Sequence, residues 1–269
     1  MIRVAIIGVT GRMGRAIVRA ADEQNDVSVV AGVASATSRE LGKDIGELAG
    51  VASYGVVVTS DLASALAQSD VAIDFSNATA TAANLAAVRA TRKPLVIGTT
   101  GFSADVEREV DDAVRDVAVL VAPNTSLGVT LLIELVRECA KALPAEFDIE
   151  ISEAHHRNKR DAPSGTALAL GRAAAEGRGQ DLSKVAVMAR TGESPHREGD
   201  IGFAVTRGGD IVGEHTVLFA GLGEQVSLGH RALDRSIFAR GALKAAVWLA
   251  AKSPGRYAMR DIVGYKTGA

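Results

Sequence analysis

The densest group of chemically useful side chains lies in one stretch, Glu153-Ala154-His155-His156-Arg157-Asn158-Lys159-Arg160-Asp161-Ala162-Pro163-Ser164-Gly165-Thr166. His155 can act as a general acid because the ordinary imidazole pKa lies near neutral pH, and Lys159 supplies charge and a second proton. Arg157, Lys159 and Arg160 with the two histidines make a local positive field suited to a small anion. Pro163 and Ser164 mark a helix start, where the amides of Gly165 and Thr166 and the Thr166 hydroxyl could hold a carboxylate. The chemistry this composition suits is protonation of an anionic substrate.

Two other readings of the stretch compete with this one. Zinc ligation by His155 and His156 fails because neighbours on a strand point to opposite faces, and no cysteine or H-x-x-x-H partner follows. No metal is expected. Arg157-Asn158-Lys159-Arg160 alone would suit a solvated basic loop; the adjoining glycine-threonine helix start favours a site. His215 and His230, on expected strands, and His196, in the loop GESPHREGD, are read as structural. Trp248 belongs in a core.

A second group is built on glycine. The first apolar run leads into Gly8-Val9-Thr10-Gly11-Arg12-Met13-Gly14 and then a helical stretch. In that strand-turn-helix context, glycines let the backbone approach a pyrophosphate while helix amides stabilise its charge. The G-x-x-G-x-x-G spacing is weak as a bare pattern. Gly98-Thr99-Thr100-Gly101 and Ala122-Pro123-Asn124-Thr125 follow later strands and should converge on the same sheet edge. The expected cofactor is NADPH and/or NADH.

Cofactor choice is read from the end of VSVVAGV. An acidic residue there would bond the adenosine ribose and repel a 2′-phosphate; Ala34 does neither. Ser35 and Arg39 follow, with Arg12 a second candidate cation for that phosphate. Thr37 and Glu40 have capping-box spacing and predict a helix start. NADPH should serve at least as well as NADH.

The elements that must position these residues change character along the chain. Through residue 125, apolar runs at Ile2 to Ile7, Val27 to Val33, Val56 to Val58, Val71 to Phe75, Leu95 to Ile97 and Val117 to Val121 alternate with helical stretches. This predicts an α/β fold with a Rossmann-like doubly wound parallel sheet. Beyond Pro123, a helix from Leu127 to Leu143 leads into the strand FDIEISEAHH and a helix near Ser164. IGFAVTR, DIVGEHTVLFA and EQVSLGHRA follow, and their short connections predict antiparallel strands. The second domain is thus α+β with a mixed or antiparallel sheet. A last helix, Ser236 to Ala251, could belong to either domain.

Charge is nearly balanced in the 269 residues, 30 basic against 32 acidic, which argues against a nucleic-acid surface or a membrane patch. With 47% apolar residues the chain can bury a real core. The one cysteine, Cys139, can form no internal disulfide, and no apolar run approaches a membrane span; a cytoplasmic location is expected.

VAIIGVTGRMG, GKDIGELAG, VAIDFS, VIGTTGF, APNTSLGV, EAHHRNKRDAPSGTAL, GDIVGEHTV and FARGALKAAVWL, in this order, resemble the bacterial 4-hydroxy-tetrahydrodipicolinate (dihydrodipicolinate) reductases over nearly the whole chain. The resemblance implies a dinucleotide-binding domain at 1–126 completed by 236–269, and a substrate-binding and oligomerisation domain at 127–235 of a homotetramer. It implies reduction of a cyclic imine dicarboxylate in diaminopimelate and lysine biosynthesis. Gly8, Val9, Thr10, Gly11, Arg12, Met13, Gly98, Thr99, Thr100, Ala122, Pro123, Asn124 and Thr125 would line the cofactor. His155 and Lys159 match the catalytic pair, and His156, Gly165 and Thr166 the substrate contacts. Thr125 departs from a frequent phenylalanine and Ala34 from a frequent acidic residue. The alternatives are a reductase of another imino or keto acid, or a nicotinamide-sensing protein without turnover.

Overall fold

The computed structural model describes residues 1–193 and 198–264, so His196 lies outside the described residues. The chain forms two compact units, residues 1–126 with 236–269, and residues 127–235.

In the first unit strands and helices alternate: β1 (Ile2–Ile7), α1 (Arg12–Asp22), β2 (Val27–Val33), α2 (Ile45–Ala49), β3 (Val58–Thr59), α3 (Leu62–Gln68), β4 (Val71–Asp74), α4 (Thr81–Thr91), β5 (Leu95–Ile97), α5 (Ala104–Ala113) and β6 (Ala118–Val121). The second unit contains α6 (Leu127–Ala142), β7 (Asp148–His155), α7 (Gly165–Gly177), α8 (Leu182–Val185), β8 (Ala186–Val187), β9 (Ile201–Arg207), β10 (Gly213–Gly221) and β11 (Glu224–Ala232). The chain returns to the first unit as α9 (Ser236–Leu249), β12 (Gly255–Tyr257) and α10 (Met259–Ile262). No helix among the described residues is long and apolar enough to cross a membrane.

The first unit's strands pair in the order β12-β6-β5-β4-β1-β2-β3, all in parallel, as the alternation of apolar runs and helices predicts. Val4 to Ile7, Val71 to Ile73 and Leu95 to Ile97 are buried, which fits strands covered on both faces. α1 turns Ile17, Val18, Ala20 and Ala21 inward and leaves Arg12 and Arg19 exposed. The ends of β1, β4, β5 and β6 all open on one edge, where Gly8, Phe75, Gly98 and Ala122 begin the loops.

Two local expectations are corrected here. The third strand is Val58–Thr59 rather than Val56 to Val58, because Asp44 draws the preceding segment into a hairpin. Its Oδ2 accepts from the Val56 amide at 3.2 Å, and Ile45 N donates to Val56 O at 2.9 Å. Thr37 and Glu40 start no helix. Ser35 Oγ accepts from Thr37 N at 3.3 Å and Ser38 Oγ from Glu40 N at 3.3 Å, while the Glu40 carboxylate pairs with Lys43 at 2.9 Å. The hydroxyls close local turns that compete with the helix, and Asp44 caps α2 instead, accepting from Gly46 and Glu47 amides.

The second unit's sheet has the order β11-β10-β7-β9-β8. β10 and β11 form the expected antiparallel hairpin, but β9 lies parallel to β7 on its other side. The short link after β9 therefore passes over the end of β7, and Gly208 N donates to His155 O at 3.0 Å. β7 is the central strand of the five. Its buried positions are Ile149, Ile151, Glu153 and His155, with Ser152 exposed. Ile149 and Ile151 join Leu132, Val136, Leu170, Phe203, Val217 and Phe219 in the core under α6 and α7. The same two-residue period then carries Glu153 and His155 into the covered face. Removing a side chain such as Ile151 would cost about 2–5 kcal/mol through the cavity left.

Candidate active site

In the first unit the site is made of backbone. Gly8 ends β1 with φ +84, and a Cβ there would lie 2.7 Å from Phe75 O. A Cβ on Gly14 would lie 2.3 Å from Gly8 O, so turn and helix approach more closely than any side chain permits. Gly8 and Val9 amides bind Val33 O at 2.8 and 3.1 Å, and Thr10 O accepts from Arg15 Nε at 2.9 Å. α1 begins at Gly11 without a side-chain cap, which leaves the amides of its first turn, at Arg12 and Met13, for an anion. This narrow cradle with open amides fits the pyrophosphate of a dinucleotide.

The neighbouring loops are tied together by Asp74, fully buried at the end of β4. Its carboxylate accepts from Ser76 N at 2.8 Å, Asn84 Nδ2 at 2.9 Å and Thr99 Oγ1 at 3.4 Å, and its carbonyl accepts from Gly98 N at 2.9 Å. Thr100 and Pro123 are exposed, and Ala122 is fixed by its amide to Ile97 O at 2.8 Å. Asn124 Oδ1 accepts from Ser126 N at 2.9 Å. Thr125 turns its side chain inward, donating to Phe238 O at 2.7 Å, so its hydroxyl builds the unit rather than facing the edge. Ala34 follows β2 with its amide on Thr59 O, while Ser35, Arg39 and Arg12 are exposed. Neither Arg39 nor Arg12 forms an ion pair among the described residues.

In the second unit the site is made of side chains on a covered face. Glu153 is buried, 3% exposed as a residue, and its carboxylate takes four hydrogen bonds. Oε2 meets His155 Nδ1 at 2.6 Å and Arg207 at 2.7 Å; Oε1 accepts from Arg207 at 2.8 Å and from Ser164 N at 2.9 Å. Burial works against this charge, but the bonds from Arg207, His155 and the Ser164 amide outweigh it and hold the Glu153 pKa below the usual carboxylate value. Arg207 also donates to Asp161 O at 2.7 Å, pinning the loop after β7.

His155 is under opposite influences. Burial lowers its pKa, the Glu153 carboxylate raises it, and Lys159 and Arg207 lower it again, for a net lowering. Its ring meets His215 edge-on, centroids 5.1 Å apart. His215 Nε2 lies 3.1 Å from Ser164 Oγ, while its Nδ1 is buried without a partner. Burial first, then the charge of His155, pushes His215 down to about 4.

α7 starts where these bonds converge. Ser164 Oγ accepts from Ala167 N at 3.2 Å, so the cap is the same residue whose amide Glu153 holds. Gly165 is exposed with open space around it, and Thr166 is partly exposed. Lys159 Nζ pairs with the exposed Asp161 carboxylate at 2.9 Å, a pair weak enough to yield to an incoming anion. His156 is partly exposed beside it.

The second unit thus brings together His155, Lys159, Ser164 and the start of α7. Sequence reading missed Glu153, Arg207 and Asp74, whereas His215, read as structural, is buried and bonded to Ser164 Oγ. The alternation Ile149, Ile151, Glu153, His155 could have marked Glu153 as buried. Nothing local marks Arg207, which lies 54 residues away.

Comparison with known proteins agrees over the full chain. A family model described as "Dihydrodipicolinate reductase, N-terminus" matches residues 2–125, and "Dihydrodipicolinate reductase, C-terminus" matches residues 128–263. The 4-hydroxy-tetrahydrodipicolinate reductase of Nitrosomonas eutropha is 47% identical over 267 residues, 99% of each chain. That of Rubrobacter xylanophilus is 49% identical over 263 residues, 98% of each. Among solved structures, a dipicolinate-bound dihydrodipicolinate reductase from Paenisporosarcina sp. TG-14 has TM-score 0.77 at 26% identity, over 97% of this chain and 99% of that one. An amine dehydrogenase from Mycobacterium smegmatis, at 15% identity and TM-score 0.60 over 96% and 95% of the two chains, shares the fold.

Proposed function

The chain belongs to the dihydrodipicolinate reductase family of oxidoreductases, and from that premise we propose that it reduces 4-hydroxy-tetrahydrodipicolinate to tetrahydrodipicolinate with NAD(P)H. The reaction would serve diaminopimelate and lysine biosynthesis in the cytoplasm. The observation that carries the reading is the buried Glu153–His155 pair beside Lys159 and the capped start of α7. It joins a proton donor to cations and to a helix start suited to a dicarboxylate.

The first unit holds the cofactor through Gly8 to Met13, with Gly98 to Thr100 and Ala122 to Thr125 around it. NAD(P)H supplies the hydride when bound. In the second unit Lys159, His156, Gly165 and Thr166 hold the substrate carboxylates. His155 and Lys159 are the catalytic pair, and either can deliver the proton. With Nδ1 turned to Glu153, His155 keeps Nε2 for proton transfer.

Arg39, Arg12 and Ser35 form the proposed contact for a 2′-phosphate, so NADPH should serve at least as well as NADH. We also propose a homotetramer. Leu222 and Leu233 at the ends of β10 and β11, with Leu131 and Leu135 on α6, are exposed apolar side chains that an interface would cover. Light scattering should give four chain masses, and a stable active monomer would reject it.

The function is tested by mixing the protein with NADPH and freshly made product of dihydrodipicolinate synthase. Loss of reduced-cofactor absorbance that requires all three components supports the reading. No loss, with a known reductase active in the same mixture, rejects it.

A further inference from the structure

Glu153 does more than balance a cation. Its Oε2 faces His155 Nδ1 at 2.6 Å, and its Oε1 accepts the amide of Ser164 at 2.9 Å, the residue that caps α7. Arg207 grips both oxygens, at 2.7 and 2.8 Å, and so fixes the plane of the carboxylate. Only 1% of the Glu153 side chain is exposed. A charge taken this far out of water is costly, and a lone cap for one amide would not require it.

We propose that Glu153, clamped by Arg207, is a positioning residue that couples the acid His155 to the anion-holding start of α7, one carboxylate oxygen fixing each. The proposal rests on the reductase reading above for the identity of the anion. By accepting from Nδ1, Glu153 selects the tautomer that leaves Nε2 on the far side of the ring. There Gly213 presents no side chain; a Cβ would come within 3.1 Å of Nε2. By holding Ser164 N, the same carboxylate fixes the first turn of α7 relative to that ring. A substrate carboxylate seated on Gly165 and Thr166 is thereby registered against the proton donor.

The charged and titratable groups facing His155 are Glu153 on its own strand, Lys159 in the following loop, Arg207 on β9 and His215 on β10. Glu153 favours the charged imidazolium, while Lys159 and Arg207 oppose it. Removing the carboxylate and removing the guanidinium should therefore move His155 in opposite directions, and only removal of the carboxylate should also release the Nδ1 tautomer.

The test uses the whole 269-residue chain and four readouts. In Glu153→Gln, turnover should fall on the order of 100-fold, and the high-pH limb of kcat/KM, where the acid loses its proton, should move to lower pH. In Arg207→Gln, which keeps the carboxylate, that limb should move to higher pH. Nitrogen NMR of labelled histidine, without substrate, should find Nδ1 protonated in neutral His155 of the wild type and a mixed tautomer in Glu153→Gln. Affinity for pyridine-2,6-dicarboxylate should drop about tenfold in Glu153→Gln if α7 loses its register. Unmoved pH limbs, or an unchanged tautomer and analogue affinity in a folded variant, would overturn the coupling. Wild-type protein without turnover would instead reject the reductase reading, and the NMR and Arg207→Gln titration would still decide whether Glu153 positions His155.

Discussion

The two helix starts proposed to hold anions, α1 and α7, solve the same electrostatic problem with different materials. α1 has no side-chain cap and is reached through a glycine turn whose contacts are backbone to backbone. α7 is capped by Ser164, which is tied in turn to Glu153 and His215 and through Glu153 to Arg207 and His155. The first depends on shape, because a single Cβ would collide with the turn. The second depends on charge, because every member of its network titrates or answers to a group that does. Holding a cofactor should therefore be nearly independent of pH in the neutral range, whereas the proposed protonation should not be.

The largest expected effect follows from His215. Its folded pKa, about 4, lies below the unfolded value near 6.5, so the unfolded chain binds more protons between them. The neutral form's contribution to stability is complete above about pH 6.5 and is lost as pH falls towards 4, by at most about 3 kcal/mol. Amide exchange in β7, β10 and β11 should accelerate over that window while β1 and β4 stay protected. His215→Asn should flatten the response, and equal acid sensitivity of both sheets would break the contrast.

Next in size is the catalytic pair. His155→Ala and Lys159→Ala should each lower turnover on the order of 100-fold, or about 2.7 kcal/mol, with NADPH affinity intact. Near-normal turnover in either folded variant would remove that residue from the pair. Smallest is Arg39→Ala, which should reduce kcat/KM with NADPH by about tenfold, some 1.4 kcal/mol, and spare NADH. An equal loss with both cofactors would place Arg39 elsewhere than at the 2′-phosphate.

The same contrast explains what could be read from sequence. The parallel sheet and glycine turn were legible because each depends on neighbours in the chain: Gly8 to Gly14 carry their own geometry, and Ile2 to Ile7 their own burial. The strand ending at His155 and the helix start at Ser164 were legible for the same reason. Arg207 was not, since its meaning comes from β7 slotting between β9 and β10. The short link after β9 hid that arrangement and favoured a simple antiparallel run. Thr37 and Glu40 failed differently: Ser35 and Ser38 spent the amides that the expected cap needed. Nothing local to the loop marks that the Thr125 hydroxyl donates to Phe238 O, 113 residues on.

The central claim is that shape holds the cofactor and charge holds the substrate, and calorimetry on two variants tests it most directly. Gly14→Ala should weaken NADPH binding by about 3 kcal/mol, because opening the turn withdraws one or two charge-assisted amide bonds. It should leave pyridine-2,6-dicarboxylate affinity within a factor of about two. Thr166→Val should do the reverse, costing the dicarboxylate about 1.5 to 3 kcal/mol, the range for a hydrogen bond to a charged group, with NADPH unchanged. Loss of both affinities in each folded variant would contradict the account.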